Sequence, residues 1–313
     1  MTKTIAKYQM WIALLALYII WGSTYLGIRF AVETIPPFMQ GAVRFLISGL
    51  ILVGWRRAAG DPAPTLRQWR SALVVGLLLL LGGNGLLAWA EQRIPSGIAA
   101  LLVGATPMYM TLIEALRPGG VRPKWMQVLG LVIGFGGIVL LIGPAEFSDS
   151  GQQFNLIGVA ACLMGAFLWS LGSIYSRNAD VPKSTLMFTG MQMLMGSLGM
   201  FVVSAWMGEF THFNISAVSL RSALGLLYLI TFGSLGGFVS YGWLLRNAPI
   251  SLVSTYAYVN PIVAVFLGNI LGQEPLSGRI LLAAAIIIGS VVLVNSFKSI
   301  PKAAHPDPAE EVA

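Results

Sequence analysis

Residues 89–107, WAEQRIPSGIAALLVGATP, return at residues 243–261 as WLLRNAPISLVSTYAYVNP. Trp89, Pro95 and Pro107 stand six and then twelve residues apart, and Trp243, Pro249 and Pro261 keep the same intervals. A second pair agrees: Trp21 is followed eight residues later by Arg29, and Trp169 eight residues later by Arg177. The chain therefore reads as two copies of one unit. If each copy holds five membrane spans, an odd number, the second must enter the bilayer in the opposite orientation to the first. Inverted repeats of this kind build secondary transporters, with a solute site near the midplane between the halves.

Composition fixes the solvent. Of the 313 residues 56% are hydrophobic and 10% charged, and the mean hydropathy is +0.78. A water-facing domain needs roughly 25% charged residues, so lipid is the partner of most of this surface. The first apolar run exceeds a signal-peptide core, lacks a small-residue cleavage site and is followed by many like it, which predicts a retained span. The single cysteine, Cys162, excludes an intrachain disulfide framework and a cysteine-based zinc site. The histidines, His212 and His305, have no ligand partner at suitable spacing, so neither metal nor cofactor is expected.

About 20 apolar residues cross a hydrocarbon core. By that rule the expected fold is all-α, a polytopic membrane protein of ten transmembrane helices in two inverted five-helix repeats. The expected spans are 10–32, 37–55, 71–90, 96–116 and 125–143, then 154–176, 184–207, 222–245, 250–272 and 279–297. The repeats occupy 9–143 and 154–298. Between them lies a polar, acidic linker at 144–153, PAEFSDSGQQ within it, placed outside the cytoplasm; the Pro-containing tail, 299–313, reads as a disordered cytoplasmic tail. With the N-terminus inside, fourteen of the 19 Lys and Arg residues face the cytoplasm. Four (Arg29, Arg93, Arg221 and Arg279) face out, and Arg44 lies within a span. That asymmetry puts both termini in the cytoplasm. The abundant glycines, among them Gly82, Gly83, Gly85, Gly233, Gly236 and Gly237, predict close helix packing.

Local motifs then become recognisable. LYIIWGSTY at 17–25 with Arg29, GAVRF at 41–45, NGLLAWAEQRIPSG at 84–97, and TYAYVNPIVAVFLG at 255–268 followed by Gln273 and Glu274 resemble the drug/metabolite transporter superfamily. Within it the chain looks like the EamA-type ten-helix permeases. The resemblance covers all but the first few residues and the tail. It implies two five-helix repeats around a central cavity, working by alternating access in a bacterial inner membrane. Many family repeats end their fourth helix with Gly-Glu; Glu274 fits, whereas the first half has Arg117, Pro118, Gly119 and Gly120.

Ionisable groups inside a bilayer are costly and usually functional. Arg44, about 12 Å into the second span by helical rise, is expected to pair with Glu91 or to bind an anionic solute group. Glu91 and Glu114 are the carboxylates reachable from within the membrane and are the candidates for proton coupling, because burial favours a neutral carboxyl. Glu114 has a bland alternative in an i,i+3 pair with Arg117. Uncharged polar and aromatic residues in mid-span form the next tier: Trp21, Ser23, Thr24, Tyr25, Asn84, Tyr109, Trp169, Tyr175, Gln192, Tyr241, Tyr256, Tyr258 and Asn260, and all but Ser23, Thr24, Tyr109 and Tyr241 are taken as solute-binding candidates. Pro107 and Pro261 break their helices, which frees backbone carbonyls where protein or a cavity can satisfy them. Trp89, Trp243, Arg29 and Arg177 suit the interfacial belt.

An aromatic wall with few charges suits amphipathic or cationic organic solutes, and a simple ion would need rings of charge or carbonyls. The expected function is secondary active transport, outward in direction, of a small organic metabolite or drug. A facilitative carrier or exchanger of amino acids or amines without proton coupling is the alternative, ahead of a channel or an integral membrane enzyme. No Walker or dinucleotide motif is present, and no catalytic constellation marks an enzyme. The expected partners are a small organic solute and the lipid bilayer, not nucleic acid, with the chain a monomer or homodimer.

Overall fold

The computed structural model describes residues 2–117, 123–142, 155–177, 179–247 and 255–296, and within them the regular structure is helical throughout. Ten helices form the body: α1 (Thr2–Ala31), α2 (Pro37–Ala58), α3 (Leu66–Ala90), α4 (Ser96–Leu116), α5 (Trp125–Ile142), α6 (Leu156–Ser176), α7 (Thr185–Trp206), α8 (Leu220–Tyr228 continuing through Leu229–Gly236 and Gly237–Asn247), α9 (Tyr256–Gly272) and α10 (Gly278–Ser296). Among the described residues nine are long and apolar enough to cross a membrane, and Val259–Gly272 within α9 is a shorter apolar helix. The protein is a polytopic membrane protein. The linker 144–153, Pro249 and the tail 299–313 lie outside the described residues.

Packing displays the repeat. Helices α1 and α9 pack together, as do their counterparts α6 and α4; α1 with α8 is matched by α6 with α3. Exchanging the halves therefore preserves these pairings. Counterpart helices that touch directly run antiparallel. On α2 and α7, Gly41 lies against Met200 while Gly49 lies against Gly190. On α5 and α10, Gly130 faces Val294 while Gly137 faces Ile287. Antiparallel pairing of equivalent helices is what an axis in the membrane plane requires. The helix starts agree: α1 ends beside Glu91, and α6 begins beside Arg93 and Ile94.

Large apolar side chains such as Trp206, Val139 and Ile157 point outward, while Leu14, Phe45, Leu101 and Met108 are fully buried. In lipid the apolar outer surface costs nothing, and association rests on close packing and satisfied polar groups.

The turn linking α1 to α2 marks one end of the bundle, and polar ties between the halves gather there. Helices α2 and α4 both start after Ile-Pro, with Pro36 and Pro95 as caps that lend no side-chain acceptor. Free N–H groups at a helix start need partners. Glu209, in the short turn after α7, accepts from Phe38 N at 3.3 Å and Met39 N at 2.9 Å. Glu274, after α9, accepts from Ser96 N at 2.7 Å and Gly97 N at 3.0 Å. Its approach needs Gly268, where a Cβ would overlap the carboxylate. Ser222 Oγ donates to Phe30 O at 2.8 Å and Arg221 pairs with Glu33 at 3.4 Å.

At the far end Asp61, after α2, is held below the usual carboxylate range by Arg56 and secondarily by Ser184, the cap of α7. That repeats the Glu209 arrangement with the halves exchanged. The position matching Glu274 falls in the Arg117-Pro118-Gly119-Gly120 stretch, which offers no carboxylate.

Candidate functional site

The spans that read as ordinary helices contain two widened segments. Gly76–Gly85 in α3 and Leu229–Gly236 in α8 are π-helical, at matching places in the two halves. Both runs are rich in glycine, which tolerates the looser winding, and such segments frequently sit at functional sites. The widened turn of α3 carries Asn84, whose amide reaches back five residues to Leu79 O at 3.5 Å. That of α8 carries Ser234.

Helix α4 is interrupted at Gly104 and Ala105. Pro107 has no N–H to give to Val103 O; the hydroxyl of Thr106 takes that carbonyl instead, at 2.6 Å. Ser170 on α6 donates across to Thr106 O at 3.2 Å. Freed carbonyls are thus satisfied by protein, as the bilayer demands. Pro261 lies inside α9 at the corresponding place.

These irregular stretches surround a cavity of about 230 Å³ at the interface of the halves. Seven of the solute-binding candidates read from the sequence line it: Trp21, Tyr25, Arg44, Asn84, Trp169, Tyr256 and Asn260, together with Pro107 and Pro261. The side chain of Tyr258 lies outside the described residues. Tyr175 is elsewhere, 41% exposed on α6, and Gln192 is buried within α7 without reaching the cavity. Thr24, Phe45, Phe238 and Asn295 also line the wall; the last three are not singled out by the sequence, because a uniformly apolar span does not announce which face looks inward.

Trp21 is the centre of an aromatic group. Its ring lies 5.4 Å from Phe238, 5.3 Å from Tyr241 and 5.1 Å from Tyr256, the first and last edge-on. A Cβ at Gly237 would overlap Trp21 Nε1, and one at Gly83 would come within 2.8 Å of Trp169 Cε3. Each half therefore seats its first-helix tryptophan on a glycine in the third helix of the other half.

The wall contains one charged side chain, Arg44. The expected pair with Glu91 does not form. Instead Arg44 Nε donates to Ser234 Oγ at 3.0 Å, and its guanidinium lies 4.8 Å from the Phe45 ring. Glu91 caps α3 with its backbone carbonyl accepting from Arg29 Nη1, so Arg29 is a cross-tie rather than a snorkelling group. Both carboxyl oxygens of Glu91 are buried with no hydrogen-bond partner. The charges acting on it are Glu274, Arg29 and Arg44. Glu114 sits on the surface and pairs with Arg117 at 3.1 Å, its bland reading. Trp89 stacks beneath Arg93, 3.5 Å from the ring centre. Cys162 is buried, with Sγ 3.5 Å from Ala99 O.

Among the described residues no group of three His, Cys, Asp or Glu side chains is arranged to hold a metal. Chemically, the cavity can surround an apolar or aromatic body, offer one cation, and present amide groups.

Comparison with known proteins matches the description "EamA-like transporter family" twice, at residues 9–143 and 156–296. The chain is 39% identical over 285 residues to the inner membrane transporter YedA of Escherichia coli (strain K12), spanning 90% of this chain and 89% of that one. It is 26% identical over 302 residues to the transporter YvbV of Bacillus subtilis (strain 168), with 96% of each chain covered. A solved crystal structure superimposes with a TM-score of 0.62 at 22% identity, covering 92% of this chain and 96% of that one, a likeness of fold.

Proposed function

The chain belongs to the EamA-like transporter family, and from that premise we propose a secondary active transporter that exports small organic metabolites or drugs across the inner membrane by alternating access. The observation that carries this reading is the cavity between the two inverted halves, walled by Trp21 and Trp169 from counterpart helices. A solute held there touches both halves, so rocking one half, 9–143, against the other, 154–298, exposes it to either side in turn.

The Lys and Arg distribution supports cytoplasmic termini. The α1–α2 end then faces away from the cytoplasm, and Glu209 and Glu274 belong to the outer gate. Glu91, buried behind that gate without a hydrogen-bond partner, is the candidate for taking up and releasing a proton as the gate opens; Arg29, Arg44 and Glu274 are the charges that would tune it. Glu114 is left out of the coupling step because Arg117 accounts for it.

The test is transport by purified protein in sealed vesicles. A carrier gives saturable uptake that unlabelled solute on the far side accelerates. Currents far above carrier rates, or no counter-flow with any organic solute, would overturn the reading.

A further inference from the structure

We infer that Arg44 is the receptor for a carboxylate, so that the solute is an organic acid with an aromatic or other planar apolar body. This rests on the transport reading and names the chemistry of its solute.

Arg44 is 5% exposed, seven residues into α2, and its side chain lines the cavity. Among the described residues the ion pairs are Arg56–Asp61, Arg117–Glu114 and Arg221–Glu33, so no carboxylate neutralises Arg44 at contact distance. Glu91 acts on Arg44 only from beyond contact distance, and a buried guanidinium without a contacting counter-charge is costly. Among the described residues Nη1 and Nη2 of this cavity-lining side chain have no hydrogen-bond partner, and a fork of that shape is matched by a carboxylate.

The surroundings hold that fork in place. Ser234, itself fully buried, fixes Nε at 3.0 Å from the widened turn of α8. Its neighbour Gly233 leaves room: a Cβ there would stand 3.2 Å from Arg44 Nη2. A single Arg, with no Lys and no second Arg in the wall among the described residues, fits a monoanion better than a phosphate dianion, which calls for several donors. The receptor is also unpaired across the repeat. At the interval of 148 residues that relates Trp21 to Trp169, Arg44 meets Gln192, which does not line the cavity. One anion per cavity follows.

The far part of the wall has the opposite demand. Asn260 Oδ1 and Asn295 Oδ1 are buried without hydrogen-bond partners and line the same cavity. By helical rise they lie about 18 and 26 Å from the α1–α2 end, against about 10 Å for Arg44. An acid that carries a hydroxyl or amino group remote from its carboxylate would satisfy both ends.

The test uses the full-length protein and three probes of one shape: 3-phenylpropionate, 3-phenylpropanamide and 3-phenylpropylamine. In calorimetric titration the acid should bind about tenfold or more tightly than the amide. Arg44→Gln should abolish that preference and Arg44→Lys retain part of it. Ser234→Ala and Gly233→Ala, which leave the charge in place but loosen or crowd the fork, should each reduce the preference, and they carry the test if Arg44→Gln does not fold. Equal affinity for acid and amide, tighter binding of the amine, no binding of the acid, or an acid preference that survives Arg44→Gln would overturn the inference. Counter-flow separates the two claims: saturable exchange of an amine or a neutral solute with no carboxylate preference sinks this inference and leaves transport standing, whereas absent exchange of every solute sinks transport itself.

Discussion

Glu274 is the most informative residue to perturb, because one side chain from the second half caps a helix of the first. Its carboxylate accepts from Ser96 N at 2.7 Å and Gly97 N at 3.0 Å. In Glu274→Gln one oxygen remains an acceptor, and the other becomes an NH₂ facing an N–H. One charge-assisted bond is lost, about 1.5–3 kcal/mol, together with the attraction between a negative charge and the start of α4, about 0.3–1 kcal/mol. The loss is about 2–4 kcal/mol. If alternating access breaks this contact, the substitution shifts the balance between the two states by roughly 30- to 1000-fold. Spin labels at Gln92→Cys and Leu276→Cys, in a Cys162→Ala background, straddle the contact from exposed positions. Pulsed electron resonance should give one short distance for the parent protein and a dominant longer one for Glu274→Gln. Superimposable distance distributions, with an unchanged melting temperature in detergent, would refute the reasoning.

Glu91→Gln should abolish uptake driven by a proton gradient while leaving solute counter-flow near the parent rate, measured in vesicles; gradient-driven uptake that persists removes Glu91 from coupling. Gly237→Ala forces a methyl group against Trp21 Nε1 and should cost about 1–3 kcal/mol by overpacking, read as a lower melting temperature with weaker solute affinity. Glu114→Gln breaks only an exposed pair with Arg117; stability should change by less than about 0.5 kcal/mol, and flux should stay at the parent level.

The ten-helix architecture was legible because lipid imposes it: long apolar runs must be helices, and Trp89-Pro95-Pro107 against Trp243-Pro249-Pro261 shows the duplication directly. Polar residues in mid-span were legible for the same reason, which is why Arg44, Asn84 and Asn260 stand out in the sequence, and all three line the cavity. Rotation about each helix axis was not. Gln192 and Tyr175 looked as good as Tyr256, since all three are polar or aromatic side chains within largely apolar spans. The widened turns were hidden inside glycine runs that also suit plain packing, and Ser234 went unread beside Gly233. Glu209 carries no signal of its own and Glu274 stands out only through the family resemblance; the signal that marks their role is Ile-Pro at the starts of α2 and α4, since helix starts without a capping side chain must borrow an acceptor from elsewhere.

The seating of Trp21 on Gly237 and of Trp169 on Gly83 has a bearing on how such a protein changes its diet. The girth of the chamber is governed in part from behind its walls, since Gly237, unlike Gly83, is not one of the residues that line it. Bulk added at Gly237 pushes the Trp21 indole inward and narrows the passage, while every wall residue stays the same. Two chains could therefore present identical linings yet admit different molecules, and the smallest residues of the eighth helix would be the place to look for the difference.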